Sequence, residues 1–243
     1  MCALAHYLED EGIATLTIGL IPQHVAKMEP PRALTVPFQL GRPLGAPGDA
    51  EFQRDVLKHA FGLLNRPGPG PVSEVFERDA PDAAEPEESW ACPVSFPLSG
   101  DGESVLDRVL AEVRLLRPWF DRGLKRRGRT AFGTSGMDIT DVCVFLNEVA
   151  AGKAADPGGD VPQGDRFKLA AEDLKMFYVE AAMEQPNPGS SRRVQDWFWN
   201  ETAAGEFLFG LRDTCKEHVD PLVRNHARFT LVPAERLSAA KEK

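Results

Sequence analysis

The stretch Ala3-Leu4-Ala5-His6-Tyr7-Leu8-Glu9-Asp10-Glu11-Gly12-Ile13-Ala14-Thr15-Leu16-Thr17-Ile18 decides the fold class. Leu4 and Leu8 stand at i, i+4, which predicts a short helix over residues 3–11. Gly12 follows where a helix end needs a left-handed residue, a conformation cheap only for glycine. Residues 14–18 are rich in β-branched side chains and predict a strand. Helix, glycine, apolar strand is the rhythm of a parallel α/β sheet.

Downstream the rhythm continues. Residues 21–27 predict a short helix stopped by Pro30 and Pro31, and Ala33-Leu34-Thr35-Val36 a second strand. The loop Gly41-Arg42-Pro43-Leu44-Gly45-Ala46-Pro47-Gly48-Asp49 leads into a helix that Asp49 can cap. Phe52, Val56, Leu57, Ala60, Phe61, Leu63 and Leu64 give that helix one wide apolar face, and Arg66-Pro67-Gly68-Pro69-Gly70 ends it. Residues 1–78 therefore predict an α/β region, a partial doubly wound parallel sheet. Residues 79–100 read as a linker or surface loop, acidic and rich in Pro and Ala at its start.

Residues 101–235 read as mainly helical. Ser104 and Asp107 make a capping-box start, with Val105, Leu106, Val109, Leu110, Val113 and Leu116 behind it. Pro118 is expected to kink or end that helix. Ile139, Val142, Phe145, Leu146 and Val149 mark a second helix closed by Gly152, and Leu169, Leu174, Phe177, Tyr178 and Ala181 a third. A fourth helical region spans 194–219, with a break expected at Gly205. Residues 223–232 suggest a short helix and a final strand, and 236–243 a polar tail.

The 243 residues carry a formal net charge of -9, with 42% hydrophobic and 27% charged residues. That composition is ordinary for a globular chain with a real core, and the acidic balance disfavours nucleic acid and anionic membranes as partners. The four cysteines, Cys2, Cys92, Cys143 and Cys215, form no C-x-x-C. With no basic, apolar leader at the start, they are expected to be reduced thiols in a cytoplasmic setting. No apolar run approaches the roughly 20 residues of a membrane helix.

One ordered set of residues carries a resemblance. It comprises Tyr7 through Thr15, Arg32, Pro37-Phe38-Gln39-Leu40-Gly41-Arg42-Pro43-Leu44-Gly45, and residues 53–64. Over roughly residues 3–66 the chain resembles the glycine/sarcosine/betaine reductase selenoprotein B family, with its D-proline reductase relatives. The resemblance implies reductive cleavage of a small amine or amino-acid-like substrate, with a selenolate or thiolate attacking carbon and displacing nitrogen. Such chemistry needs a soft nucleophile ionised near neutral pH. In that family the selenocysteine and its neighbouring cysteines lie directly before the helix matching residues 3–11. The family's redox motif is thus not found in this chain, and Cys2 is the nearest thiol.

The candidate site residues follow. Cys2 is the candidate nucleophile near a helix start, against the plain alternative of a terminal residue without a role. Arg32, Gly41, Arg42 and Gly45 are candidates for substrate or anion contact where a strand gives way to a helix, though glycine and proline also simply make loops. Lys125-Arg126-Arg127-Gly128-Arg129-Thr130-Ala131-Phe132-Gly133-Thr134-Ser135-Gly136 combines cations, hydroxyls and glycines. Arg129, Thr130, Ser135 and Gly136 could form a nest for phosphate or carboxylate, or merely a basic helix end with a loop after it. Trp197 and Trp199 could cage an amine but read more readily as core.

No metal site is expected. Cys215-x-x-His218 lacks further ligands, and Glu172, Asp173, Glu180 and Glu184 read as a solvated helix face. No cofactor is evident. The expected partners are a small-molecule substrate and a reductase partner subunit. The alternative function is a non-catalytic small-anion-binding or assembly subunit on the same scaffold.

Overall fold

Gly12 closes the first helix, α1 (Cys2–Asp10), with two bonds. Its N–H reaches the Glu9 carbonyl and the Ile13 N–H reaches the Leu8 carbonyl, both at 2.9 Å. Gly12 has φ 80°, the left-handed value this cap requires. The computed structural model describes residues 1–38, 40–45, 48–66, 71–78, 103–153, 161–186 and 191–239. The chain divides into two units, Met1–Pro86 and Glu87–Lys243. The division falls within the expected linker 79–100, which lies outside the described residues, as does the end of the tail at 240–243.

In the first unit β1 (Thr17–Gly19) starts later than residues 14–18 suggest. The reason is Glu9. Its Oε1 accepts from Thr15 N at 2.5 Å, Thr15 Oγ1 at 2.9 Å and Arg32 Nη1 at 2.6 Å. A backbone N–H given to a side chain cannot enter a strand ladder. Then come α2 (Pro22–Met28), β2 (Arg32–Thr35), α3 (Ala50–Gly62), a 3-10 turn at Leu63–Asn65, and β3 (Val72–Val75). The strands lie in the order β1-β2-β3, all parallel, with Thr17 opposite Ala33 and Arg32 opposite Val72. The parallel sheet is present, but the strand-order reversal that marks a doubly wound sheet is not among the described residues.

α3 begins as expected, with the Asp49 side chain accepting from Phe52 N at 3.0 Å. Its Phe52, Val56 and Ala60 are buried with Leu34, Val36, Phe38, Leu63 and Phe76 in one core, to which Ile18 and Val72 add. The other face of the sheet meets α2. A Cβ on Gly19 would lie 2.3 Å from Val25 Cγ2, so only glycine lets α2 descend onto β1.

The Glu9 lock makes this unit acid-sensitive. The Thr15 N–H, and then Arg32, hold the Glu9 carboxyl below its usual range against the opposing effect of burial. A carboxyl with a lowered folded pKa stabilises fully above its unfolded pKa of about 4.3 and loses that contribution as pH falls through the folded value. Glu9→Gln is expected to lower the unit's stability by about 1 kcal/mol at pH 7. The gap to the wild type should narrow as pH falls below the unfolded pKa of about 4.3 and close once pH is below the folded value. Denaturant titrations followed by hydrogen exchange of β1 and β2 amides, at pH 7 and below the folded value, check this. A gap that persists in acid would contradict it.

The second unit is helical: α4 (Val105–Arg127), α5 (Ile139–Ala150), α6 (Gln163–Ala182), α7 (Ser191–Glu201), α8 (Ala203–Cys215), α9 (Pro221–Phe229) and α10 (Ala234–Ala239). Both halves of the Ser104/Asp107 capping box form. α4 runs unbroken through Pro118, which is exposed, so the Arg114 carbonyl it frees can turn to water. The break in the 194–219 region comes at Thr202 and not at Gly205. Thr202 Oγ1 donates to the Phe198 carbonyl at 2.7 Å and accepts from Gly205 N at 3.1 Å.

The expected short helix is α9, and the strand expected after it does not form, residues 230–232 being turn and bend. Asp220 accepts from Leu222 N at 2.8 Å, Pro221 sits at the first helical position, and Val223 and Ala227 are buried at i, i+4. These start signals outweigh the β-branched content of the segment. The expected tail begins inside α10.

The core centres on α6, whose Phe167, Ala170, Ala171, Leu174, Phe177, Tyr178, Ala181 and Ala182 are buried. Rings meet edge-on or tilted, Phe120 to Phe177 at 4.9 Å and Tyr178 to Phe198 at 5.5 Å. Buried Glu112 of α4 accepts from Tyr178 Oη at 2.8 Å and from the first N–H groups of α8, Ala203 at 2.8 Å and Ala204 at 3.4 Å. Burial raises its pKa, and those three donors oppose the rise. A carboxyl placed this way satisfies orphan donors of the helix start.

Candidate functional site

Parallel pairing brings the carboxyl ends of the three strands to one side, at Gly19, Thr35 and Val75. In open parallel sheets ligands bind there. A cavity of about 290 Å³ opens at this end, between Val25 and Ala26 of α2, Thr35 of β2, and Ser73 and Val75 of β3. All of its lining residues are uncharged. Ala33 lies opposite Ser73 and Thr35 opposite Val75, so alternation puts these four on one face of the sheet.

A larger groove of about 950 Å³ flanks β3 on the α3 side. It is shallow, and its charges neutralise one another. His59 Nε2 lies 3.0 Å from Glu74 Oε2, Arg66 also pairs with Glu74, and Arg78 Nη2 lies 3.1 Å from Asp55 Oδ2. The strand-end cavity is the better candidate because its lining is mostly apolar and includes Thr35 and Ser73.

The residues singled out in the sequence fall into three groups. Cys2 is the first residue of α1 and is half-buried. Arg32 opens β2 and is engaged by Glu9. Gly41 and Gly45 take positive φ of 87° and 82° in the loop before α3, with Gly45 buried and Arg42 half-buried; Ala46 and Pro47 lie outside the described residues.

In the second unit the chain supplies its own carboxylates to the basic, glycine-rich segment. Fully buried Asp173 of α6 accepts five hydrogen bonds. They come from Gly133 N and Thr134 N at 3.0 Å, Thr134 Oγ1 at 2.8 Å, Ser135 N at 2.8 Å and Ser135 Oγ at 2.6 Å. Glu180 takes Thr130 Oγ1 at 2.9 Å, Ala131 N at 2.7 Å and Arg127 Nη2 at 2.8 Å. Glu184, with its side chain 3% exposed, pairs with Arg126 at 2.9 Å and Arg122 at 3.4 Å. Arg126 holds the Glu184 carboxyl below its usual range. Asp173, Glu180 and Glu184 therefore do not belong to a solvated face, which corrects that expectation, whereas the Glu172 side chain is 42% exposed and pairs with Lys175 at 3.0 Å. The nest geometry is present, and Asp173 fills it. Arg129 is exposed, and Gly136 takes φ 75° and bonds back to Gly133 at 3.1 Å.

Trp197 and Trp199 are 2% and 5% exposed and belong to the helical core. Cys143 and Cys215 are buried, which pushes their thiols up to about 12 and about 11. Thiols so shifted are poor nucleophiles at neutral pH. Cys92 lies outside the described residues. His218 Nε2 lies 3.2 Å from the Val149 carbonyl and Nδ1 accepts from Asp220 N at 3.1 Å, so both ring nitrogens have protein partners. Among the described residues no group of three or more His, Cys, Asp or Glu side chains is placed to hold a metal ion, and no helix is long and apolar enough to cross a membrane.

None of the residues singled out in the sequence lines the strand-end cavity: Val25, Ala26 and Thr35 were read only as parts of a helix and a strand, and Ser73 and Val75 were missed altogether, since β3 was not foreseen. The signal was the alternation in Val72-Ser73-Glu74-Val75-Phe76 after the Pro- and Gly-rich run. No family model matches the chain, and no curated protein or solved structure matches it.

Proposed function

We propose that this chain is a reductase-like enzyme, or a subunit of one, related to the selenoprotein B family. It takes a small amine or amino-acid-like substrate at the carboxyl ends of β1, β2 and β3. The supporting observation is the uncharged cavity at that end of a parallel sheet, lined by α2 and β2 from the region that carries the resemblance and by β3 from beyond it. Cys2 is the candidate nucleophile, because Cys143 and Cys215 are buried and hard to ionise. In this reading the Cys2 thiolate forms a bond to the substrate carbon, and the C–N bond breaks with its electron pair leaving on the amine. Two electrons from a partner's dithiol then release the carbon fragment and regenerate the thiol.

The alternative, a subunit binding small anions, is weakened in one respect. The donors of residues 130–135 are already engaged by Glu180 and Asp173.

The test incubates the full chain with dithiothreitol and a panel of glycine, sarcosine, betaine and proline, and measures released amine or, for proline, the ring-opened amino acid. Turnover that disappears in Cys2→Ser is expected. No turnover with any of them, or turnover untouched by Cys2→Ser, removes Cys2 from the mechanism.

A further inference from the structure

We infer that the carboxyl end of α4 and the loop after it form a docking surface for a short acidic segment of a partner protein. The inference stands on the helical unit alone and goes beyond the proposed function.

The sequence concentrates positive charge here. Between Arg122 and Gly136 the chain carries Arg122, Lys125, Arg126, Arg127 and Arg129 and no acid. Glu180 of α6 and Glu184 just beyond it answer only two of these five charges. Arg122 and Arg126 share the Glu184 carboxylate, and their side chains stay 66% and 64% exposed. Lys125 and Arg129 are exposed and have no ion pair or hydrogen bond among the described residues. The helix dipole accounts for cations in the last turn. Arg122 lies before that turn, and Arg129 lies past the Gly128 cap.

The surface is held in place before any partner arrives. Asp173 and Glu180 pin the backbone of Ala131, Gly133, Thr134 and Ser135, so docking beside Arg129 need not order that loop. Along the same stripe of α4, Leu115 and Pro118 are exposed, and the Arg122 guanidinium lies over the half-buried Trp119 ring at 5.7 Å. Spacings of three and four put these residues on one helix face with Lys125 and Arg126. Arginine and tryptophan are the residue types that most often anchor protein interfaces.

The wider charge selects the partner class. The whole chain carries -9, which repels a long polyanion such as nucleic acid over most of its length. Screening confines the pull of the patch to about 8 Å at physiological salt. A segment with a few carboxylates and an apolar side chain meets the cations and the stripe without meeting the rest of the surface.

Binding to the full chain tests this with four probes: a short labelled peptide of glutamates interrupted by leucines, its glutamine counterpart, a single-stranded RNA, and phosphatidylglycerol vesicles. The glutamate peptide is expected to bind at least ten-fold more tightly than the glutamine peptide and to weaken as salt is raised. Lys125→Ala combined with Arg129→Ala should weaken it about ten-fold. Arg54→Ala combined with Lys58→Ala, exposed on α3, removes the same charge elsewhere and should leave binding unchanged. Melting curves confirm that each variant is folded. No binding of the glutamate peptide, equal binding of the two peptides, indifference to the Lys125 and Arg129 substitutions, or tighter binding of the RNA or the vesicles overturns the inference.

Discussion

Asp173→Ala is expected to lower the stability of the helical unit by about 4 kcal/mol, a fall in Tm of roughly 12 °C for a unit of this size. The substitution removes the acceptor of five hydrogen bonds, three of them from the backbone N–H groups of Gly133, Thr134 and Ser135. Those donors face the core side of α6, where Asp173 is fully buried, so water cannot easily replace the lost oxygens. Asp173→Asn separates charge from shape. It keeps one acceptor oxygen but turns an amide NH2 toward donors, so it should recover only part of the loss. Thermal melts followed by far-UV circular dichroism decide this. A change of less than 3 °C in Asp173→Ala would mean that the loop is held by other contacts.

Gly205→Ala is expected to be nearly as damaging, by about 3 kcal/mol. Two effects oppose each other. Alanine is the better helix former by about 1 kcal/mol. Against that, a Cβ at residue 205 would lie 2.4 Å from the Phe198 carbonyl oxygen and 3.0 Å from Cα and the carbonyl oxygen of Trp199. These are backbone atoms of buried residues, and they cannot swing aside as a flexible side chain can. Gly210 is the internal control, since nothing lies within 4 Å of a Cβ built there on the same helix. Gly210→Ala should therefore stabilise the unit by up to about 1 kcal/mol. Urea titrations of both variants give the comparison, and a Gly205→Ala as stable as Gly210→Ala would refute the close packing of α7 on α8.

Local chemistry explains what could be read in advance. Gly12, Asp49, Ser104 with Asp107, and Gly152 each satisfy helix ends through residues no more than a few positions away. Such signals are complete in a short window. The strand boundary at Thr17 was not visible, because it depends on Glu9 reaching Thr15 and Arg32. β3 was obscured by the proline- and glycine-rich run before it and by its short length. The site divides in the same way. The nest-forming character of residues 130–136 is written in its glycines and hydroxyls, but the carboxylate that fills it lies on another helix. Asp173, Glu180 and Glu184 looked solvated because charge alone does not reveal a distant partner. The cavity was illegible because Thr35 and Ser73 become neighbours only through strand pairing.

The carboxylate bonds of the helical unit also set a timetable. The loop donors at Ser135 precede Asp173 by 38 residues, and Glu112 precedes the Ala203 N–H it serves by 91. On the ribosome the earlier partner emerges first in both cases and waits. Until α6 is made the loop has no acceptor, and until Ala203 emerges Glu112 is a carboxylate on an apolar helix face with no helix start to cap. These carboxylate bonds of the helical unit are therefore complete only once the start of α8 has been made.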